Sequence, residues 1–169
     1  MVRAVMLFFA LLFTALVAGG AFVVWIEYNP SGMSAATYVA GMQHAIRVFT
    51  IPLPATVILS LLFCAASAYL ARRERPGFYL LVAATGSVLA VALITVFGNI
   101  PINNQIKTWS ITTPPASWVE LSARWWHFQT VRTIAAVFGM ALLSVVVLMR
   151  RSAHGGRTAA AADAATDVL

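Results

Sequence analysis

The chain has 169 residues, of which 61% are hydrophobic and 9% charged, with a net charge of +6. A water-soluble domain carries roughly 25% charged residues, so this chain lacks the polar surface to remain in water, and its single cysteine, Cys64, excludes an internal disulfide framework. The composition is that of an integral membrane protein. Its positive charge calls for anionic lipid head groups and no nucleic acid.

A membrane-crossing helix needs about 20 mostly apolar residues. Four stretches qualify, at about 4–26, 51–71, 77–98 and 131–149. The first follows Arg3 but continues through Ala18-Gly19-Gly20-Ala21 to Ile26, longer than the roughly 7–15 residues of a signal-peptide core, and reads as a retained helix. Between spans one and two, Glu27-Tyr28-Asn29-Pro30-Ser31-Gly32 is a turn, and Ser34 to Arg47 can be helical. Pro52 and Pro54 predict a bend before span two. Arg72-Arg73-Glu74-Arg75-Pro76-Gly77 is a tight stop and restart. Asn99 and Pro101 predict the end of span three and the start of a second long loop, about 99–117, closing in Thr113-Pro114-Pro115. Ser117 with Glu120 has the spacing of a capping box and starts helix four. From there to Met149 a helix runs roughly 50 Å at ~1.5 Å per residue, so its first turns must lie outside the bilayer core.

The expected architecture is an all-α, four-helix transmembrane bundle over residues 1–150, followed by a disordered or loosely helical cytoplasmic tail over 151–169. Arg3, Arg72, Arg73, Arg75, Arg150, Arg151 and Arg157 fall on one side. Positive residues mark the cytoplasmic face, so both termini are expected there, in a bacterial-type plasma membrane, with the two longer loops outside. Gly19-Gly20, Gly86 and Gly139 read as positions of close helix packing, which also leaves room for a homo-oligomer. Met33, Met42 and Met140 read as packing residues.

The polar side chains gather at the outer edge. Glu27 ends span one, Gln43, His44 and Arg47 precede span two, and Asn99, Asn103, Asn104 and Gln105 end span three. Helix four adds Arg124, His127, Gln129 and Arg132. Helical spacing places Glu120, Arg124 and His127 on one face, with Trp125, Gln129 and Arg132 on an adjacent one. Ionisable groups at membrane depth point to partners or a cavity, so Glu27 is expected to pair with Arg132 or Arg47.

Three readings stay open for Glu27, His44 and His127. They are metal ligands for zinc, copper or iron; or a histidine is a general base or proton relay; or all three make ordinary interfacial hydrogen bonds. Asn99, Asn103 and Asn104 are more than a helix stop requires and read as cavity-lining. Trp109, Trp118, Trp125 and Trp126 suit an interfacial belt, with Trp109 and Trp126 the candidates for stacking on a substrate. No inverted repeat or charge chain supports transport, and Cys64 alone excludes a dithiol shuttle.

Asn99-x-Pro101-x-Asn103-Asn104, then Trp109, a proline-rich turn and Trp126-His127-x4-Arg132, resembles a family of small four-helix membrane proteins that includes anthrone-oxygenase-like members. Gly19-Gly20 and Gln43-x3-Arg47 are also similar, and the resemblance covers about residues 4–149. It implies oxidation by dioxygen of an activated methylene in a flat, apolar aromatic small molecule, with Asn99, Asn103, Trp126, His127 and Arg132 at family-like positions. On that expectation His44 or His127 acts as base or, with Glu27, binds copper or iron. Arg47 or Arg132 stabilises a phenolate or enolate, and Asn99, Asn103, Asn104, Trp109 and Trp126 hold the substrate. The alternative is a non-enzymatic membrane protein that uses the same edge to bind a ligand or partner subunit.

Overall fold

The structure, a computed structural model, describes the backbone of residues 1–166 and the side chains of residues 1–150. Helices α1 (Val2–Glu27), α2 (Ala35–Phe49), α3 (Pro52–Leu70), α4 (Arg75–Ile94), α5 (Ile100–Ile106) and α6 (Trp118–Thr166) make up the fold, with a π-helical turn at Thr95–Asn99 joining α4 to α5. Four helical stretches are long and apolar enough to cross a membrane: Val2–Glu27, Pro52–Leu70, Arg75–Ile106 and Trp118–Arg150. The backbone of residues 151–166 continues α6, and residues 167–169 of the expected tail lie outside the described residues.

The spans form a ring in chain order. α1 packs on α3 and α6, and α4 packs on the same two. Small residues let the backbones approach, as membrane helices require when water supplies no driving force between them. Ala10, Ala68, Ala71 and Ala84 fill one end of the bundle with Leu7, Cys64 and Leu143; Ala18, Ala21 and Ala136 fill its middle with Val17 and Val91. A Thr14–Ser60 hydroxyl hydrogen bond of 2.7 Å ties α1 to α3 inside this core. At the α3–α4 turn, Glu74 binds both Arg3 and Arg150, so one carboxylate gathers the ends of three spans.

At the opposite end, Ser34 caps α2 by accepting from the Thr37 amide at 3.2 Å, as the Ser34 start predicts. The chain turns at Thr50–Ile51, and α3 begins on Pro52, where a missing N–H costs nothing. α2 lies across the bundle end against α5, building a third core with Val24, Tyr38, Met42, Ile102, Ile106 and Trp125. Gln43 locks it there by donating to the carbonyls of Ile106 and Trp109, both at 2.9 Å.

Span three departs from expectation. Asn99 and Pro101 do not end it; the helix runs on to Ile106, and the loop shortens to residues 107–117. The π turn is the reason. Pro101 has no N–H, and in an unbroken α-helix its ring would collide with the carbonyl four residues back. One extra residue in the turn relieves that clash, and the Ile100 amide bonds to the Thr95 carbonyl five residues earlier.

The glycines also sort differently. A Cβ on Gly19 or Gly86 would meet nothing within 4 Å, so these two are not close-packing positions. Gly139 is one, where a Cβ would lie 3.2 Å from the Ser87 Cβ. The tightest is Gly98, in the π turn, where a Cβ would lie 2.7 Å from the Phe128 ring.

Candidate functional site

A cavity of about 400 Å³ lies where α2 covers the ring of spans. Its walls are mostly apolar, from Val17, Ala21 and Val24 of α1, Met42 and Ile46 of α2, Leu53 and Val57 of α3, and Val91 of α4. Into this apolar lining project Tyr28, Thr95, Asn99, Asn103, Asn104, Lys107, Trp125 and Arg132. Ile58 and Val96, which line it from α3 and the π turn, are also exposed on their spans, and the π turn packs on α6. These residues put apolar, exposed surface of α3 and of the π turn at the edge of the cavity.

Arg132 dominates the electrostatics. It lies within a span and is only 9% exposed. Its Nη1 donates to Thr95 Oγ1 at 3.1 Å and its Nη2 to Gln129 Oε1, while Nε is buried without a partner. The expected pairing with Glu27 is not made. Glu27 is exposed, and the ion pairs among the described residues are those of Glu74. No carboxylate among the described residues lines the cavity.

The asparagines are fixed by α6. Asn99 donates from Nδ2 to the Trp125 carbonyl at 3.3 Å, leaving its Oδ1 buried and unpartnered. Asn103 Oδ1 accepts from the Trp125 indole at 2.7 Å, and Asn104 Oδ1 accepts from Lys107 at 3.1 Å on the exposed rim. Burial, and then the adjacent Glu27 carboxylate, push the Tyr28 phenol above its ordinary range, so Tyr28 presents a neutral hydroxyl.

The sequence-derived candidates divide in two. Asn99, Asn103, Asn104 and Arg132 come together in the cavity lining. His44, Arg47 and His127 are exposed and line none of it. Trp126 stacks on Trp25, with ring centroids 5.9 Å apart, and donates to the Trp25 carbonyl at 3.1 Å; Trp109 packs against the α2–α5 core. The tryptophan in the cavity is Trp125. Among the described residues no three His, Cys, Asp or Glu side chains gather as a group that could hold a metal ion. Glu27, His44 and His127 are thus not gathered into one group among the described residues.

Residues 42–142, more than half of the chain, match the family described as anthrone oxygenase. The chain belongs to the anthrone oxygenase family. The matched segment contains most of the polar side of the cavity, from Thr95 through Lys107 to Trp125 and Arg132, and leaves out Tyr28 and the α1 wall. No curated protein and no solved structure matches the chain.

Proposed function

We propose that this family member is a membrane oxygenase that takes a flat, lipid-soluble aromatic ketone of the anthrone type into the cavity and oxidises its activated methylene with dioxygen. One observation carries the reading: a mostly apolar cavity among the apolar spans holds a buried arginine with no carboxylate among the described residues to neutralise it. Loss of a methylene proton from such a ketone gives an enolate, with its charge on oxygen. Arg132 stabilises that oxygen in a setting where a fixed donor counts for more than it does in water. The proton leaves to water at the exposed rim around Asn104 and Lys107.

Dioxygen is apolar and enters the chamber with the substrate. It adds to the enolate carbon, the peroxide anion takes a proton back from water at the rim, and the resulting hydroperoxide loses water to give the quinone. The sum is one dioxygen consumed and one water released per quinone. Trp125, held by Asn103, offers an aromatic wall for the rings, and Asn99 offers an acceptor for a substrate hydroxyl.

The test is oxygen uptake and quinone absorbance with an anthrone and purified protein in mild detergent. A rate well above the protein-free oxidation, with one dioxygen per quinone, is the expected result. A rate equal to that background overturns the reading, and binding of the anthrone without turnover identifies a non-enzymatic binding protein instead.

A further inference from the structure

Arg132 is surrounded by neutral groups, and that arrangement is itself informative. An arginine inside a span is costly and ordinarily finds a carboxylate. Here the guanidinium instead meets a hydroxyl from the π turn, Thr95 Oγ1, and an amide oxygen on its own helix, Gln129 Oε1. Gln129 is 0% exposed and cannot turn away, because its Nε2 donates to the Ala21 carbonyl of α1 at 2.8 Å. That bond commits the amide nitrogen to α1 and leaves the oxygen facing Arg132. A glutamate at the same place would neutralise the arginine, at no change in side-chain size.

We propose that Gln129 is a positioning residue that holds Arg132 oriented but un-neutralised, so that the cavity binds its aromatic ligand as an oxyanion and the ligand supplies the missing counter-charge. This deepens the function proposed above and rests on the same cavity. The charged or titratable groups lining that cavity are Arg132 on α6, Lys107 at the end of α5 and Tyr28 beyond α1. The linings from α2, α3, α4 and the π turn carry none. Two cations and a neutral phenol thus face the ligand. An acidic oxygen that is neutral in lipid gives up its proton on docking, and a ligand lacking such an oxygen leaves Arg132 unsatisfied.

4-Nitrophenol serves as the probe, because it is lipid-soluble and its phenolate absorbs visible light while the phenol does not. Its ionisation is titrated in detergent with the parent, Arg132→Gln, Gln129→Glu and Thr95→Asp. The last two deliver a carboxylate to Arg132 from different helices, so one of them failing to fold leaves the other to decide, and thermal unfolding identifies the folded ones. Bound to the parent, the probe is expected to ionise about one pH unit lower than in protein-free detergent. The shift is expected to vanish in Arg132→Gln and in whichever carboxylate variants fold.

An unchanged shift in a folded Gln129→Glu or Thr95→Asp protein overturns the proposal, as does a parent that fails to bind the probe or binds only its neutral form. A Gln129 that merely packed α6 against α1 would change the unfolding temperature and leave the shift in place. If the shift appears without any anthrone oxidation, the oxygenase reading falls and the oxyanion site stands. If oxidation proceeds without the shift, the reverse holds.

Discussion

Replacing Arg132 by glutamine is expected, on the proposed oxygenase function, to lower kcat/KM for anthrone oxidation by about 10²–10³, the usual effect of removing one preorganised donor at a developing oxyanion. The same substitution is expected to leave thermal stability unchanged or raised. A buried ion carries a desolvation penalty of several kcal/mol, and here no carboxylate offsets it. Glutamine is neutral, and its amide can still donate toward Thr95 or Gln129. Opposite signs in the two measurements are what distinguish a functional charge from a structural one. A purely structural Arg132 would lose stability and activity together. Steady-state oxygen uptake and thermal unfolding in the same detergent decide between them.

The spans were legible because lipid imposes a simple rule, that about 20 apolar residues must run unbroken. The ring order was not fixed in advance, although short connections favour the sequential neighbours that it has. Span three was harder. Asn99 and Pro101 are ordinary stop signals, and composition holds no mark of a π turn that carries the helix past them. Helical spacing did separate the two faces of α6 correctly. Glu120, Arg124 and His127 are exposed, and Trp125, Gln129 and Arg132 are buried. Spacing alone leaves open which face looks inward. Histidine and glutamate drew attention to the outer face by their chemical versatility, whereas the inner face carries the cavity.

Lys107 and Trp125 were visible as residue types, and Trp125 was assigned to the interfacial belt. Their cavity role depends on α5 continuing as a helix, which brings Asn103 to the Trp125 indole and Asn104 to Lys107. Gln129 had no signal beyond its polarity within an apolar run. Its role needs the α1 carbonyl that it meets only in the folded bundle.

Gly98→Ala is expected to destabilise the protein by about 1–3 kcal/mol, the usual cost of forcing an extra methyl into a packed interior. The new Cβ would stand 2.7, 2.8 and 3.0 Å from three carbons of the Phe128 ring, distances that real contacts do not allow. The ring has limited freedom to retreat, with His127 edge-on at 6.3 Å and the Arg124 guanidinium over it at 5.8 Å. The π turn must therefore shift away from α6. Asn99 follows Gly98 directly and holds the Trp125 carbonyl, and Thr95 at the start of the same turn holds Arg132. A single methyl at this point should loosen both contacts, so activity is expected to fall as well as stability. Removing the obstacle tests the cause. In a Gly98→Ala/Phe128→Ala double variant the two losses should be clearly less than additive, because neighbours sharing one contact couple. Gly19→Ala and Gly86→Ala provide the contrast. Neither new Cβ has a neighbour within 4 Å, and a helical alanine exceeds glycine by roughly 0.5–1 kcal/mol, so both should be neutral or stabilising. Thermal unfolding of these variants, and of Phe128→Ala alone, beside the parent separates the glycine that the π turn requires from those that the helices merely tolerate.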